Sequence, residues 1–153
     1  MMRSPLTLDR LVASRLEAEM GALWGLHINH NLFRGPERVP MQSEAGAYVP
    51  QCAVFVLLTS GDAPVPLHNQ SPTDELRLSL NIRVRSEVGV FEEGQDLAHA
   101  VWFAIHRAAL PEVIECECLE SVPRYIGQDD IGHHRWDIGL RIVRDVVVRQ
   151  LNT

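Results

Sequence analysis

The stretch Glu120–Arg144, ESVPRYIGQDDIGHHRWDIGLRIVR, decides how the chain is read. From His134 onward, Trp136, Ile138, Leu140 and Ile142 fall on one side of an extended chain, and Asp137, Gly139, Arg141 and Val143 on the other. A period of two is the signature of a strand with one buried face and one wet face. Upstream, Pro123–Ile126 predicts a short strand. Gln128–His133, with two consecutive aspartates and a glycine, predicts the reversal between the two strands. The segment is therefore a hairpin with an amphipathic return strand, and nothing in it matches a catalytic motif.

A second stretch has the same grammar. In Glu75–Arg85, ELRLSLNIRVR, Leu76, Leu78, Leu80, Ile82 and Val84 share one face, while Arg77, Ser79, Asn81, Arg83 and Arg85 share the other. One face is expected to pack on helices and the other to present a row of arginines to water or to a partner. Cys52–Thr59, CAVFVLLT, is apolar on both faces and predicts a central strand covered on both sides. Residues 113–119, VIECECL, predict a further strand. Residues 26–33 alternate loosely and predict an edge strand, and the run Val146–Val148 extends the last strand.

Two helices complete the pattern. Ser4 as N-cap with Pro5 at the first helical position, or Thr7 as an alternative cap, starts the first. Leu8, Leu11, Val12, Leu16 and Met20 then recur at helical spacing over about residues 5–22. The second spans about 94–109. Acidic residues Glu92, Glu93 and Asp96 suit its positive end, and Leu97, Val101, Ile105 and Ala108 form a stripe that Trp102 and Phe103 broaden. The expected class is α+β: a mainly antiparallel sheet with two helices on one face. At 153 residues the chain is one expected domain, burying roughly 70% of its unfolded surface. It is interrupted by long loops at about 34–51 and 59–74, which hold six of the nine prolines. Long irregular segments of this kind are either functional or disordered, and here they are read as arms that grip neighbouring subunits.

Composition removes several function classes. All fourteen basic residues are arginine, so a lysine-dependent phosphate loop, a Schiff base and a pyridoxal site are excluded. An arginine-only basic set fits either a GC-rich coding genome or selection for interfaces, where arginine is favoured over lysine. A net charge of −6 argues against a general duplex-DNA binder. Neither a signal-peptide-length apolar run nor a membrane-length one is present, so the expectation is a protein made in a cytoplasm, with no membrane partner. Cys52, Cys116 and Cys118 do not make a disulfide framework and read as small apolar residues. His27 and His30 lack a companion carboxylate or cysteine cluster at ligand spacing, no cysteine–histidine spacing matches a zinc module, and His106 lacks an identifiable partner for general-base work. No catalytic residue, cofactor site or metal site is assigned. A small-molecule or metal-binding domain using the histidines near 27–30 and 133–134 remains the alternative from another class.

The helix ending AVWFAIHRAAL, the strand after it, and then PRYIGQDDIGHHRWDIGLRI form one continuous pattern over residues 95–144. With VFVLLTSG and LRLSLNIRVR as core strands, it resembles the minor capsid and tail-terminator (tail-completion) proteins of tailed bacteriophages and of related gene-transfer particles. The resemblance implies a non-enzymatic virion protein, made in the bacterial host cytoplasm. It implies a homo-oligomeric ring, usually a hexamer, that caps the last ring of tail tube protein and joins it to neck or connector proteins, with passive DNA passage through it. A head-completion or connector protein of the neck is the other reading in this class. Candidate assembly residues are Arg77, Arg83, Arg85, Asp129, Asp130, His133, His134 and Arg141.

Overall fold

The structure, a computed structural model, describes residues 8–37, 52–62, 65–66, 73–111 and 113–147. In chain order the elements are α1 (Leu8–Trp24), β1 (Leu32–Arg34), β2 (Ala53–Gly61), β3 (Val65–Pro66), β4 (Thr73–Val88), α2 (Glu92–Ile105), β5 (Glu115–Cys118), β6 (Arg124–Gln128) and β7 (His133–Val147).

The two stretches with the clearest alternation pair with each other. β4 and β7 run antiparallel from Thr73↔Val147 to Val88↔His133, with one irregularity between Arg85 and Val88. In this register Ile82 faces Ile138 and Leu80 faces Leu140, so the apolar sets of both strands lie on one side. On the outer flank of β4 lie β2 and β3, both antiparallel to it. On the outer flank of β7, β6 covers residues 134–137 and β5 covers 140–143. β1 adds to β2 in parallel, giving the order β1-β2-β4-β7-β5 with β3 and β6 alongside. The sheet is thus mainly antiparallel with both helices on one face, as the two patterns require.

The helices cover the apolar face. α1 contributes Leu8, Val12, Ala13, Leu16 and Met20, and α2 contributes Gly94, Leu97, Ala98, Val101 and Ile105. They close one continuous core with Val54, Val56, the β4 leucines, Trp136, Ile138, Leu140 and Ile142. Gly25 ends α1 in the left-handed conformation that a residue without Cβ adopts at little cost, its N–H bonded to the Gly21 carbonyl at 3.1 Å. Gly94 is needed for closeness instead: a Cβ there would meet Ser86 Cβ at 2.5 Å and Trp136 Cζ3 at 2.6 Å. Gly139 sits in regular register opposite Asn81, so it is not a bulge. Its bare face is filled by Leu119, 3.2 Å from where a Cβ would stand.

Several expectations are corrected. Most of the 26–33 edge strand is a turn, and the strand proper is Leu32–Arg34. Glu17 of α1 reaches that turn and accepts the Ile28 N–H at 2.7 Å, which favours compact over extended backbone there. The expected loop at 59–74 holds the end of β2, all of β3 and the start of β4, because the chain keeps pairing along β4 after Thr59. Of the loop at 34–51, residues 38–51 lie outside the described residues, as do the Ser4, Pro5 and Thr7 caps. β2 lies inside the sheet between β1 and β4 and is buried on both faces over its first four residues, but turns exposed from Thr59 onward. On its second face Ala53 and Phe55 pack with Phe33, and the Arg85 guanidinium lies 5.2 Å from the Phe55 ring centre. Phe103 does not broaden the core stripe, since it points outward at 76% exposure.

Trp136 is 2% exposed and wedged against Gly94. Replacing it with alanine is expected to cost about 3–5 kcal/mol in denaturant unfolding. Gly94→Ala should also destabilise, by about 1–3 kcal/mol of overpacking, outweighing the gain of about 1 kcal/mol in helix propensity. An unchanged unfolding midpoint for Gly94→Ala would show that the Trp136 ring moves aside freely.

Candidate assembly interface

No helix covers the second face of the sheet among the described residues, and the four candidate arginines stand there. The structure divides the arginine row into two halves. At the inner half, Arg83 grips Asp137 of the facing strand by two hydrogen bonds: Nε donates to Oδ1 at 2.6 Å and Nη2 to Oδ2 at 3.0 Å. Its Nη1 donates to Glu37 Oε1 at 2.8 Å. Glu37 also draws Arg135 to 3.4 Å and Arg85 to 3.7 Å, while Asn81 donates to Asp137 at 3.2 Å. Bidentate, charge-assisted bonds of this kind are stronger than neutral ones and fix geometry.

The protonation states follow from these contacts. The Asp137 hydrogen bond lifts the Arg83 guanidinium above its usual range. Burial pushes the Asp137 carboxyl up, but the hydrogen bonds from Arg83 and Asn81 outweigh it and hold the group below the ordinary carboxylate range. Burial presses the Arg85 guanidinium downward, opposed by the Glu37 carboxylate. Both arginines are therefore internal parts of the sheet. The expectation of a row presented to water or a partner fails at Arg85, which is 2% exposed, because Glu37 and Asp137 fold carboxylates over that half.

The outer half is different. Arg77 keeps 57% of its side chain exposed and, among the described residues, pairs with its neighbour Glu75 at 2.9 Å. Arg141 stands one ladder step away, opposite Ser79, and bonds Glu115 and Glu117 of β5. Arg77 and Arg141 are thus brought together on the open face, away from Arg83 and Arg85.

Asp129, Asp130, His133 and His134 gather at the β6–β7 turn in distinct roles. Asp129 Oδ1 accepts the backbone N–H groups of Ile131, Gly132 and His133 at 3.0, 2.8 and 2.9 Å. Its Oδ2 meets His133 Nδ1 at 2.8 Å, and His133 is buried. Burial pushes the Asp129 carboxyl up, but these four hydrogen bonds prevail and bring it down to about 2. Asp129 and His133 therefore clamp the reversal, whereas Asp130 is exposed. His134 joins a surface aromatic group, with Tyr125 Oη 2.8 Å from its Nδ1 and Phe91 and Trp136 packed beside it.

The remaining candidate chemistry is dispersed. His27 Nδ1 lies 3.8 Å from Glu17 Oε2, and its backbone N–H bonds Asn31. Among the described residues no group of three or more histidines, cysteines or carboxylates is arranged to hold a metal. Hollows of about 500 Å³ beside the end of α2 and about 360 Å³ between Trp24 and the start of α2 are lined by none of the histidines 27, 30, 133 or 134. Burial pushes the thiols of Cys52, Cys116 and Cys118 up to about 12, 11 and 12, so each stays protonated. His106 spends its Nδ1 accepting the Cys118 N–H at 3.0 Å. Among the described residues no helix is long and apolar enough to cross a membrane.

No protein-family model and no curated protein sequence matches the chain. A solved structure does. The chain is similar to one in the virion of a native gene transfer agent (GTA) particle, with a TM-score of 0.59 over 90% of this chain and 94% of that one. At 17% identity the likeness is one of fold.

Residue spacing did not reveal Glu37, which belongs to no periodic element and reaches the sheet only through the turn after β1. Asp137 was visible as a charged residue on the wet face of its strand. Its pairing with Arg83 was not, because sequence does not set the β4–β7 register.

Two outcomes test the division. Arg83→Ala leaves Asp137 and Glu37 facing each other half-buried and should cost about 3 kcal/mol in chemical unfolding. Arg77→Ala, removing an exposed pair, should cost under about 1 kcal/mol. Asp129→Asn should lower stability at neutral pH by about 2 kcal/mol. The folded carboxyl titrates below its unfolded value of about 4, so its stabilisation is full above that pH and is lost as pH falls toward 2. The gap between wild type and Asp129→Asn in urea melts should therefore narrow from pH 4 to pH 2; a constant gap would remove the clamp role.

Proposed function

We propose that this chain is a non-catalytic structural subunit of a tailed-phage-like particle: a tail terminator, forming a ring, of six copies by the resemblance, that caps the tail tube and joins it to the neck. The observation that carries the reading is the match of nearly the whole fold, end to end in both chains, to a component of a gene transfer agent virion. The sequence pattern over residues 95–144 points independently to the same class of particle. The wet sheet face supports it as well, since its charges are spent on ion pairs that shape a surface rather than on a catalytic constellation.

In this role the subunit meets copies of itself, the tube protein below and neck proteins above, and DNA passes through the ring without being gripped. A net charge of −6 suits a channel that does not hold phosphates. Arg77 and Arg141, exposed together on the outer half of the open face, are the arginines available for joining.

Native mass measurement of the purified chain should give a closed ring, and an averaged image of the particle neck should place it between tube and head. Density on the portal side of the neck would make it the head-completion protein instead. A chain absent from the neck would overturn the reading. Arg77→Glu and Arg141→Glu should leave the unfolding midpoint within about 1 kcal/mol of wild type while reducing the yield of joined particles; normal joining by both would show that this half is only solvated.

A further inference from the structure

β5 is the last strand of the sheet, and its outer side meets the end of α2. The Leu119 N–H bonds the Gly139 carbonyl of β7 at 2.9 Å, so by the alternation of a strand Cys116 and Cys118 turn their backbone groups away from β7. The two residues after α2 receive them as a stub of strand would. The Arg107 N–H bonds the Cys116 carbonyl at 2.8 Å, and the Cys118 N–H bonds Nδ1 of the His106 imidazole at 3.0 Å. Arg107 adopts a φ of 56° to do so, a left-handed conformation that is unfavourable for a residue with a Cβ. The imidazole thus occupies the place that the carbonyl of a neighbouring strand would take.

The ring is held in position for this contact. It stacks on Trp102 with 4.5 Å between ring centres and 24° between planes, and Trp102 Nε1 is anchored on the Glu120 carbonyl at 2.9 Å. The Cys116 and Cys118 thiols also reach the end of α2, at the Ile105 carbonyl (3.5 Å) and the Trp102 carbonyl (4.0 Å), but S–H is a weak donor. Nδ1 accepts a hydrogen bond only while it carries no proton; in the imidazolium both ring nitrogens are donors. From β5 the ring faces the Cys118 thiol, which burial keeps protonated, whereas Glu115 and Glu117 bond Arg141 on the other side of the sheet. On α2 it faces the Trp102 ring and the carbonyl end of the helix, both of which suit a cation. His99 stands about two turns earlier on the same side of α2, and Arg107 is exposed. Among the described residues no carboxylate pairs with the imidazole. Protonation therefore leaves the ring its partners on α2 and takes the acceptor away from β5.

We infer that His106 is a proton-sensitive cap on the edge of β5: neutral, it takes the place of a partner strand at Cys118, and protonated, it releases that N–H and opens the edge beside the end of α2. An uncapped edge N–H is the group that a further extended chain pairs with, so the cap keeps this side of the sheet closed in neutral solution and loosens it in acid. Amide hydrogen exchange of the full chain, resolved by NMR, tests the cap. Cys118 is read against Leu119, whose acceptor, the Gly139 carbonyl, does not titrate. In the wild type, protection of Cys118 relative to Leu119 should fall about tenfold from about pH 8 to about pH 5, the range in which histidine changes charge. His106→Asn places an amide oxygen where Nδ1 stood, an acceptor at every pH, and should hold the ratio constant. His106→Ala should show the low ratio at both ends of the range. A wild-type ratio that does not change with pH would overturn the cap, as would full protection of Cys118 in His106→Ala or a wild-type pH dependence in His106→Asn. The wild-type titration decides the matter even where a variant fails to fold.

Discussion

The pairing of β4 with β7 is the constraint on which everything else depends. Over residues 76–85 and 136–142 the two strands alternate, so only one parity of register places both apolar sets under the helices. A slip of one residue in β7 would turn Ile138 and Leu140 to water and Asp137 into the core. Two polar devices guard that register from opposite directions. Asp129 clamps the turn that starts β7, and Arg83 holds Asp137 across the ladder with two bonds of fixed geometry. Trp136 adds a steric marker on the other face, since only Gly94 leaves room for its ring.

Charge on the wet face is therefore mostly architectural. Glu37 gathers three arginines from two strands, and without it those cations would crowd one another. An arginine is suited to such a place because it keeps its charge when half-buried and offers several donors in one plane. The same residue type serves at the outer half as exposed, loosely paired surface. Residue type alone does not separate these roles; burial and facing carboxylates do.

The apolar surface tells a complementary story. The side chains left out of the core are not scattered singly, which would need no explanation. Some of them, Phe91 and Tyr125, collect beside β6, where they are braced by buried Trp136.

The sequence by itself determined the class of fold. The period of two in 75–85 and 134–144, the helical stripes at 8–20 and 97–105 and the polar turn at 128–133 each follow from local backbone geometry, and burial of one face is their shared consequence. Tertiary structure decided what local pattern has no access to. It set which strands pair and in which register, and so brought Asp137 to Arg83 across 54 positions of chain and Glu37 to Arg85 across 48. It turned the expected arginine row half inward, turned Asp129 and His133 into a clamp, and left Phe91 and Tyr125 together on the surface. Contacts between residues far apart in sequence depend on how whole faces stack, and no periodicity within a single segment encodes that.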